Sequence, residues 1–166
     1  MATSRRCSGR LSNGSESRVG GFGPRQGMNL RISSDRREVD VGLVHRFLHE
    51  DAYWCRGVPR AVVETAIENS RCYSAFVDGR QIGFARVITD CATFAYLCDV
   101  FVLPEARGQG VSKALLRAID ADAELQGLRR FLLATADAHA LYAQHGFEPL
   151  TRPERFMERY KPNAYA

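Results

Sequence analysis

The segment that most constrains this chain runs from Val102 to Leu116. There an apolar, strand-like run passes through Pro104 and the turn Arg107-Gly108-Gln109-Gly110 into an amphipathic helix. Glycine at 108 and 110 permits positive φ and lets an anion approach the main chain. A helix start fed by such a turn presents N–H groups without intrahelical partners, and together with the helix dipole these favour a phosphate. The same residues also suit an ordinary glycine turn before a helix. Nucleotide-binding alternatives fail on spacing. The G-x-x-x-x-G-K-[S/T] loop is absent, and the dinucleotide fingerprint needs a third glycine in a βαβ setting near the chain start.

The pattern around this turn is regular from Met28 onward. Leu30 and Ile32 alternate in a short strand, and Asp40 caps a helix whose Leu43, Val44, Phe47 and Leu48 form one stripe. Pro59 opens a second helix with Val62, Val63, Ala66 and Ile67 inward. Three antiparallel strands follow at 72–77, 81–89 and 94–102, the first two joined by a turn at Asp78-Gly79. After the glycine turn the pattern predicts a helix over 111–125 ended by Gly127 and a strand over 129–135. A helix from Asp137 to His145 ended by Gly146 comes next, then strands near 147–150 and 155–160. The order βααβββαβαββ implies an α+β fold, an α/β/α sandwich. Its mixed, mostly antiparallel sheet should have six to seven strands flanked by about four helices.

Composition removes several classes of function. The chain has 166 residues, 45% hydrophobic and 25% charged, which is ordinary for one globular domain. Its net charge of +4 resides in residues 1–27, where Arg5, Arg6, Arg10, Arg18 and Arg25 face Glu16 alone, leaving 18 basic and 18 acidic residues in 28–166. A neutral body argues against nucleic acid as partner, because phosphate neutralisation supplies most of that affinity. No apolar run approaches membrane-spanning length, so no membrane partner is expected. Cys7, Cys55, Cys72, Cys91 and Cys98 are odd in number and lack a C-x-x-C pair, which implies reduced thiols and a cytoplasmic protein. The helical pair His45 and His49 has no acidic residue placed to complete a ligand set, so no metal is expected. Residues 1–27, rich in Gly, Ser and Arg without apolar period, read as a disordered extension preceding a single domain at 28–166. Their Arg/Ser bias suits a transit peptide or an appended extension equally, although the glycines oppose the amphipathic helix of a transit peptide.

The run Asp99-Val100-Phe101-Val102-Leu103-Pro104, followed by Arg107-Gly108-Gln109-Gly110-Val111-Ser112, resembles the Q/R-x-x-G-x-G/A signature of the GNAT superfamily of N-acetyltransferases. A second family element, an alanine shortly before L-Y-x-x-x-G-F, is matched by Ala138 and Leu141-Tyr142-Ala143-Gln144-His145-Gly146-Phe147. The resemblance spans about residues 28–160. Ser112 replaces the usual Gly or Ala, and Thr135 stands where Asn is common.

The resemblance implies an acetyl-CoA-dependent N-acetyltransferase, with a non-catalytic acetyl-CoA sensor as the alternative. It places the pantetheine arm between strands 94–102 and 129–135, bonded by backbone groups of Val100, Phe101 and Val102. The Val102 N–H would point at the thioester oxygen. The pyrophosphate would rest on the amides of Arg107, Gly108, Gln109, Gly110, Val111 and Ser112, with Lys113 and Arg117 near the 3′-phosphate. Tyr142 matches the acid that protonates the leaving thiolate, with His139 a weaker alternative. An alkyl ammonium must lose a proton before it can attack, so either Asp99 or a water relay serves as base. Asp99 equally suits a structural role at a bulge. For the acceptor, Glu50, Tyr53 and Trp54 are candidate contacts to a small-molecule amine or amino acid, or else to a protein amine. The two aromatics equally suit core plugs. A monomer or homodimer is expected.

Truncation at Met28 should leave the thermal midpoint within a few degrees and acetyl-CoA affinity intact. A larger fall, or lost binding measured by calorimetry, shows that the segment packs on the domain.

Overall fold

The structure, a computed structural model, describes residues 29–162 together with 164 and 165. The extension expected over 1–27 lies outside the described residues. The sheet contains β1 (Leu30–Ser33), β2 (Arg71–Val77), β3 (Arg80–Thr89), β4 (Phe94–Val102) and β5 (Arg130–Leu133) in the spatial order β1-β2-β3-β4-β5. All neighbours pair antiparallel except β4 and β5, which run parallel because a helical crossover joins them. Four α-helices are present among the described residues: α1 (Val41–Glu50), α2 (Arg60–Glu68), α3 (Val111–Asp120) and α4 (His139–Ala143).

Local chemistry sets these elements. Asp40 accepts a hydrogen bond from the Leu43 N–H at 2.9 Å and caps α1, whose Leu43, Val44, Phe47 and Leu48 are buried as the stripe requires. At the β2–β3 hairpin Asp78 and Gly79 both have positive φ, which matches the right-handed twist of the flanking strands. Gly83 is required for another reason. A Cβ there would lie 3.1 Å from the Phe101 carbonyl oxygen and 3.3 Å from Val111, so β3, β4 and the start of α3 approach closely only over glycine.

The sheet divides the interior in two. One face packs Tyr73, Ala85, Val87 and Leu97 against Leu115, Leu116 and Ile119 of α3 and Tyr142 of α4. The other packs Phe84 and Phe101 against α1 and α2, with Phe101 stacked on Phe47 at 3.9 Å between ring centroids. Among the described residues no helix is long and apolar enough to cross a membrane, and no three His, Cys, Asp or Glu side chains converge to hold a metal.

Several expected boundaries are corrected. The sheet has five strands, not six to seven, because 147–150 and 155–160 form no ladder. Pro149 and Pro153 remove donors from that stretch, and Pro153 starts a 3-10 turn instead. On α2, Val63 and Ile67 are buried, but Val62 is 41% exposed. Helix α3 stops at Asp120, five residues short of the expected end. Asp122 intervenes: its carboxylate accepts the Glu124 N–H and starts a separate 3-10 turn.

Asp122 also ties the α3 end to the sheet, accepting hydrogen bonds from the Tyr73 hydroxyl and from Arg71. Burial pushes its carboxyl up, but these donors more than offset the burial and hold it below the ordinary carboxylate range. A depressed folded-state value contributes stability above the unfolded value of about 3.9, and that contribution is lost as pH falls. Asp122→Asn is therefore expected to destabilise the protein by about 1–3 kcal/mol at pH 7. The deficit should shrink as denaturation is repeated through pH 4 and below. A deficit unchanged by pH would show that the carboxylate's charge plays no part.

Candidate active site

The site begins at a bulge in β4. Phe84 pairs with Phe101 and Arg86 with Cys98, so one residue of β3, Ala85, faces both Asp99 and Val100. Asp99 adopts a φ of +51°, which is uncommon for a side-chain-bearing residue. Its side chain compensates. One carboxylate oxygen accepts from Arg86 Nε at 2.7 Å and the other from Trp54 Nε1 at 3.2 Å. Arg86 and Asp99 are 14% and 11% exposed, an ion pair largely withdrawn from water. Burial opposes the guanidinium's charge and the Asp99 carboxylate more than restores it.

Beyond the bulge the sheet opens. The parallel pairing of β4 with β5 covers only Phe94–Leu97 against Arg130–Leu133, and β4 continues to Val102 with that edge unpaired. Leu103 N–H donates to Ile82 O at 2.9 Å on the β3 side. By strand alternation Phe101 also spends its backbone groups on β3, while those of Val100 and Val102 point into the opening. Among the sequence candidates, then, Val100 and Val102 present open groups and Phe101 presents a core side chain. Arg107 Nε donates to Val102 O at 3.1 Å, which ties the glycine loop to this edge.

The opening leads to a cavity of about 420 Å³ lined by Val102, Ala106, Arg107, Gly108, Gly110, Val111, Ser112 and Lys113. Gly110 is the N-cap of α3 with φ +80° and supplies no side-chain cap. The first helical bond runs from Ala114 N–H to Gly110 O. The backbone N–H groups from Gly108 to Lys113 therefore have no hydrogen-bond partner among the described residues. Six adjacent donors at the positive end of a helix dipole form a receptor for a doubly charged pyrophosphate. The space over Gly108 and Gly110 is open, with no atom within 4 Å of where a Cβ would stand. The chain thus fits the phosphates of CoA. Gln109 braces the loop through Glu105 O at 3.0 Å, and Arg117 lies in the last turn of α3.

Tyr142 is buried on α4, where it lines a cavity of about 630 Å³ with Leu133, Thr135 and His139. Burial, then the charge of Asp137 and the nearby Tyr53 hydroxyl, pushes its phenol above the ordinary value of 10. It therefore stays protonated throughout the neutral range. Tyr142 packs with the α3 layer, whereas Tyr53 follows α1 on the opposite face. Thr135 spends its hydroxyl accepting the Ala138 N–H at 3.0 Å, which turns the chain into α4.

Tyr53 and Trp54 are 64% and 44% exposed and meet edge to face at 5.1 Å, so neither is a core plug. Glu50, at the exposed end of α1, lines neither cavity. Sequence reasoning missed Arg86. The one available signal was a lone charged residue within the otherwise uncharged 81–89 strand. Burial, then the Asp99 charge, pushes the Cys55 and Cys98 thiols up to about 12, which makes both poor nucleophiles at neutral pH.

Gly110→Val should weaken acetyl-CoA binding by about tenfold or more, since hydrogen bonds to a charged group are lost. Gly127→Val, at a similar φ of +74° with equally open space, supplies a control for backbone strain. Calorimetry on both folded variants checks this. Equal affinities would remove the phosphate assignment.

Comparison with known proteins agrees with this geometry. A family model described as the acetyltransferase (GNAT) domain matches residues 68–149. A protein of Xanthomonas campestris pv. campestris, assigned to the GNAT family of acetyltransferases, has a crystal structure that superposes with a TM-score of 0.82. It is 56% identical, over 84% of this chain and 99% of that one. A Gibberella zeae protein assigned as an acetyltransferase is 29% identical over 136 residues, 69% of this chain and 76% of its own length. An aminoglycoside N-acetyltransferase solved in complex with CoA shares the fold at 22% identity, with a TM-score of 0.55 over 82% of this chain and 99% of that one. With its five-stranded open sheet, its glycine cradle and this 56% identical relative, the chain belongs to the GNAT family of acetyltransferases.

Proposed function

We propose that this chain transfers the acetyl group of acetyl-CoA to a primary amine by direct attack of the amine. One observation carries the reading. The β4 edge left unpaired past Leu97 carries Val102, which lines the cavity over the α3 amides, and Val100 and Val102 pack against the same core cluster as Tyr142, so phosphate donors and a proton donor lie along one stretch of strand. The CoA complex of the aminoglycoside N-acetyltransferase with this fold supports the choice of cofactor. When bound, acetyl-CoA supplies an activated thioester.

The chain's own residues have four tasks. The amides from Gly108 to Lys113 hold the pyrophosphate, and Lys113 and Arg107 add positive charge beside it. Val100 orients the arm by strand-like hydrogen bonds, and the Val102 N–H stabilises negative charge developing on the carbonyl oxygen. Removing one such donor typically costs about 3–4 kcal/mol. Tyr142 gives its proton to the departing thiolate sulfur. The amine's proton leaves through a water relay, because protonating Asp99 would break the ion pair that holds the β4 bulge. The half-buried Cys55 and Cys98 thiols stay protonated, which favours direct attack over an acyl-cysteine route at either.

Tyr142→Phe keeps the ring's packing and deletes one hydroxyl. Turnover is expected to fall by about 10²-fold or more, within the range of general acids, while acetyl-CoA affinity stays put. CoA thiol release across an amine panel is the measurement, made after the variant's melting temperature shows that it folds. Wild-type turnover in the folded variant would refute the acid assignment. Tight acetyl-CoA binding by wild-type protein, with no thiol release for any amine, would instead identify a sensor.

A further inference from the structure

On the α1/α2 side of the sheet, a cleft of about 650 Å³ lies between α2 and β3. Its walls are apolar, with Val62 and Ile88 41% and 43% exposed across its mouth, and Thr65, Asn69 and Ser70 supply polar groups at one end. Among the described residues Arg86 is the only charged side chain in the lining, which includes no carboxylate. Arg86 Nε is committed to Asp99, and one Nη1 proton goes to Ser70 Oγ at 3.0 Å. Nη2 donates to nothing among the described residues. Arg86 also lines a smaller inner cavity of about 120 Å³ that contains Asp99, the residue from which the open run Val100–Val102 departs. The guanidinium thus stands between an apolar cleft and the Asp99 bulge with Nη2 unspent among the described residues.

We propose that this cleft is the acceptor site and that it selects an amine carrying a carboxylate on a compact apolar body, that is, an amino-acid-type acceptor. Arg86 Nη2 would bind the carboxylate, Val62 and Ile88 would cover the apolar part, and the amine would lie toward Asp99 and the β4 edge. A cationic or polyamine acceptor is disfavoured because the lining offers it no acid. Asp99 takes Nε of Arg86 and Ser70 takes one Nη1 proton, so Nη2 is left for a second carboxylate. This assignment rests on the acetyl-transfer reading above and deepens it.

The test pairs acceptors that differ only at the acid: leucine against leucinamide, and phenylalanine against phenylalaninamide, with a leucine-led tripeptide amide standing for a protein N-terminus. The acids should exceed their amides by about tenfold or more in kcat/KM. Val62 is exposed on a helix, so charge there perturbs the cleft's potential more than the fold. Val62→Glu should lower the acid-to-amide ratio severalfold and Val62→Lys should raise it, mainly through KM. Calorimetric titration of leucine and leucinamide into CoA-loaded protein should show the same order without turnover. Amides or the tripeptide amide equal to or better than the acids, or a ratio that neither Val62 variant moves, would overturn the carboxylate assignment while acetyl transfer stands. Acetyl-CoA binding without thiol release for any acceptor, together with no leucine binding, would remove the transfer reading and this site with it.

Discussion

The Arg86–Asp99 ion pair governs how this sheet is used. A residue other than glycine at φ +51° is costly unless its surroundings determine it. Here the carboxylate is gripped by a guanidinium from the neighbouring strand and by the Trp54 indole from the α1–α2 connection. The bulge so held shifts the β3–β4 register by one residue. Tyr96 and Cys98, before the bulge, share a face with Arg86, while Ala95 and Leu97 lie in the α3-side core. Beyond it Phe101 faces α1, and Val100 and Val102 keep backbone groups free along the edge that β5 no longer reaches.

Two layers of helices then serve different parts of that edge. The α3 layer supplies the anion cradle, whose donors are unpaired because Gly110 caps the helix without a side chain. Gly83 allows the cradle to approach the sheet closely enough to be continuous with the strand edge. The α1/α2 layer supplies Tyr53, Trp54 and the apolar cleft that ends at Arg86. Between the layers, past Leu97, β4 and β5 leave a gap in the sheet. In the proposed reaction the gap is where acetyl donor and amine meet, so the bulge that maintains it also sets their alignment.

The sheet closes differently at its far side. β5 is four residues long and, among the described residues, has no strand on its outer edge, and the following stretch from Phe147 carries Pro149 and Pro153. A cavity bordered by β5, α4 and residues 147–150 occupies that side. The stretch stays beside the domain through packing, with Phe147 edge-on to Phe131 at 5.3 Å and Arg130 over the Phe156 ring at 4.8 Å.

The sequence by itself determined the parts governed by short-range chemistry. Asp40 as a cap, Asp78-Gly79 as a hairpin turn, the glycine approach to an amphipathic α3, and the buried stripe of α1 each follow from a few adjacent residues, and all are found. The motif residues from Arg107 to Ser112 and Tyr142 were legible for the same reason: local spacing encodes the N-terminus of a helix and one helical face. Tertiary structure alone decided the rest. Periodicity counts apolar residues but not the partners a strand will find, so residues 147–160 read as strands and form none. The inward stripe of α2 lost Val62 because a cleft, not a packed layer, faces it. Asp99 read as an isolated acid because its counter-charge, Arg86, lies thirteen residues away in sequence and 2.7 Å away in space. A pairing between strands fixes the orientation of both groups, and no local rule carries that information.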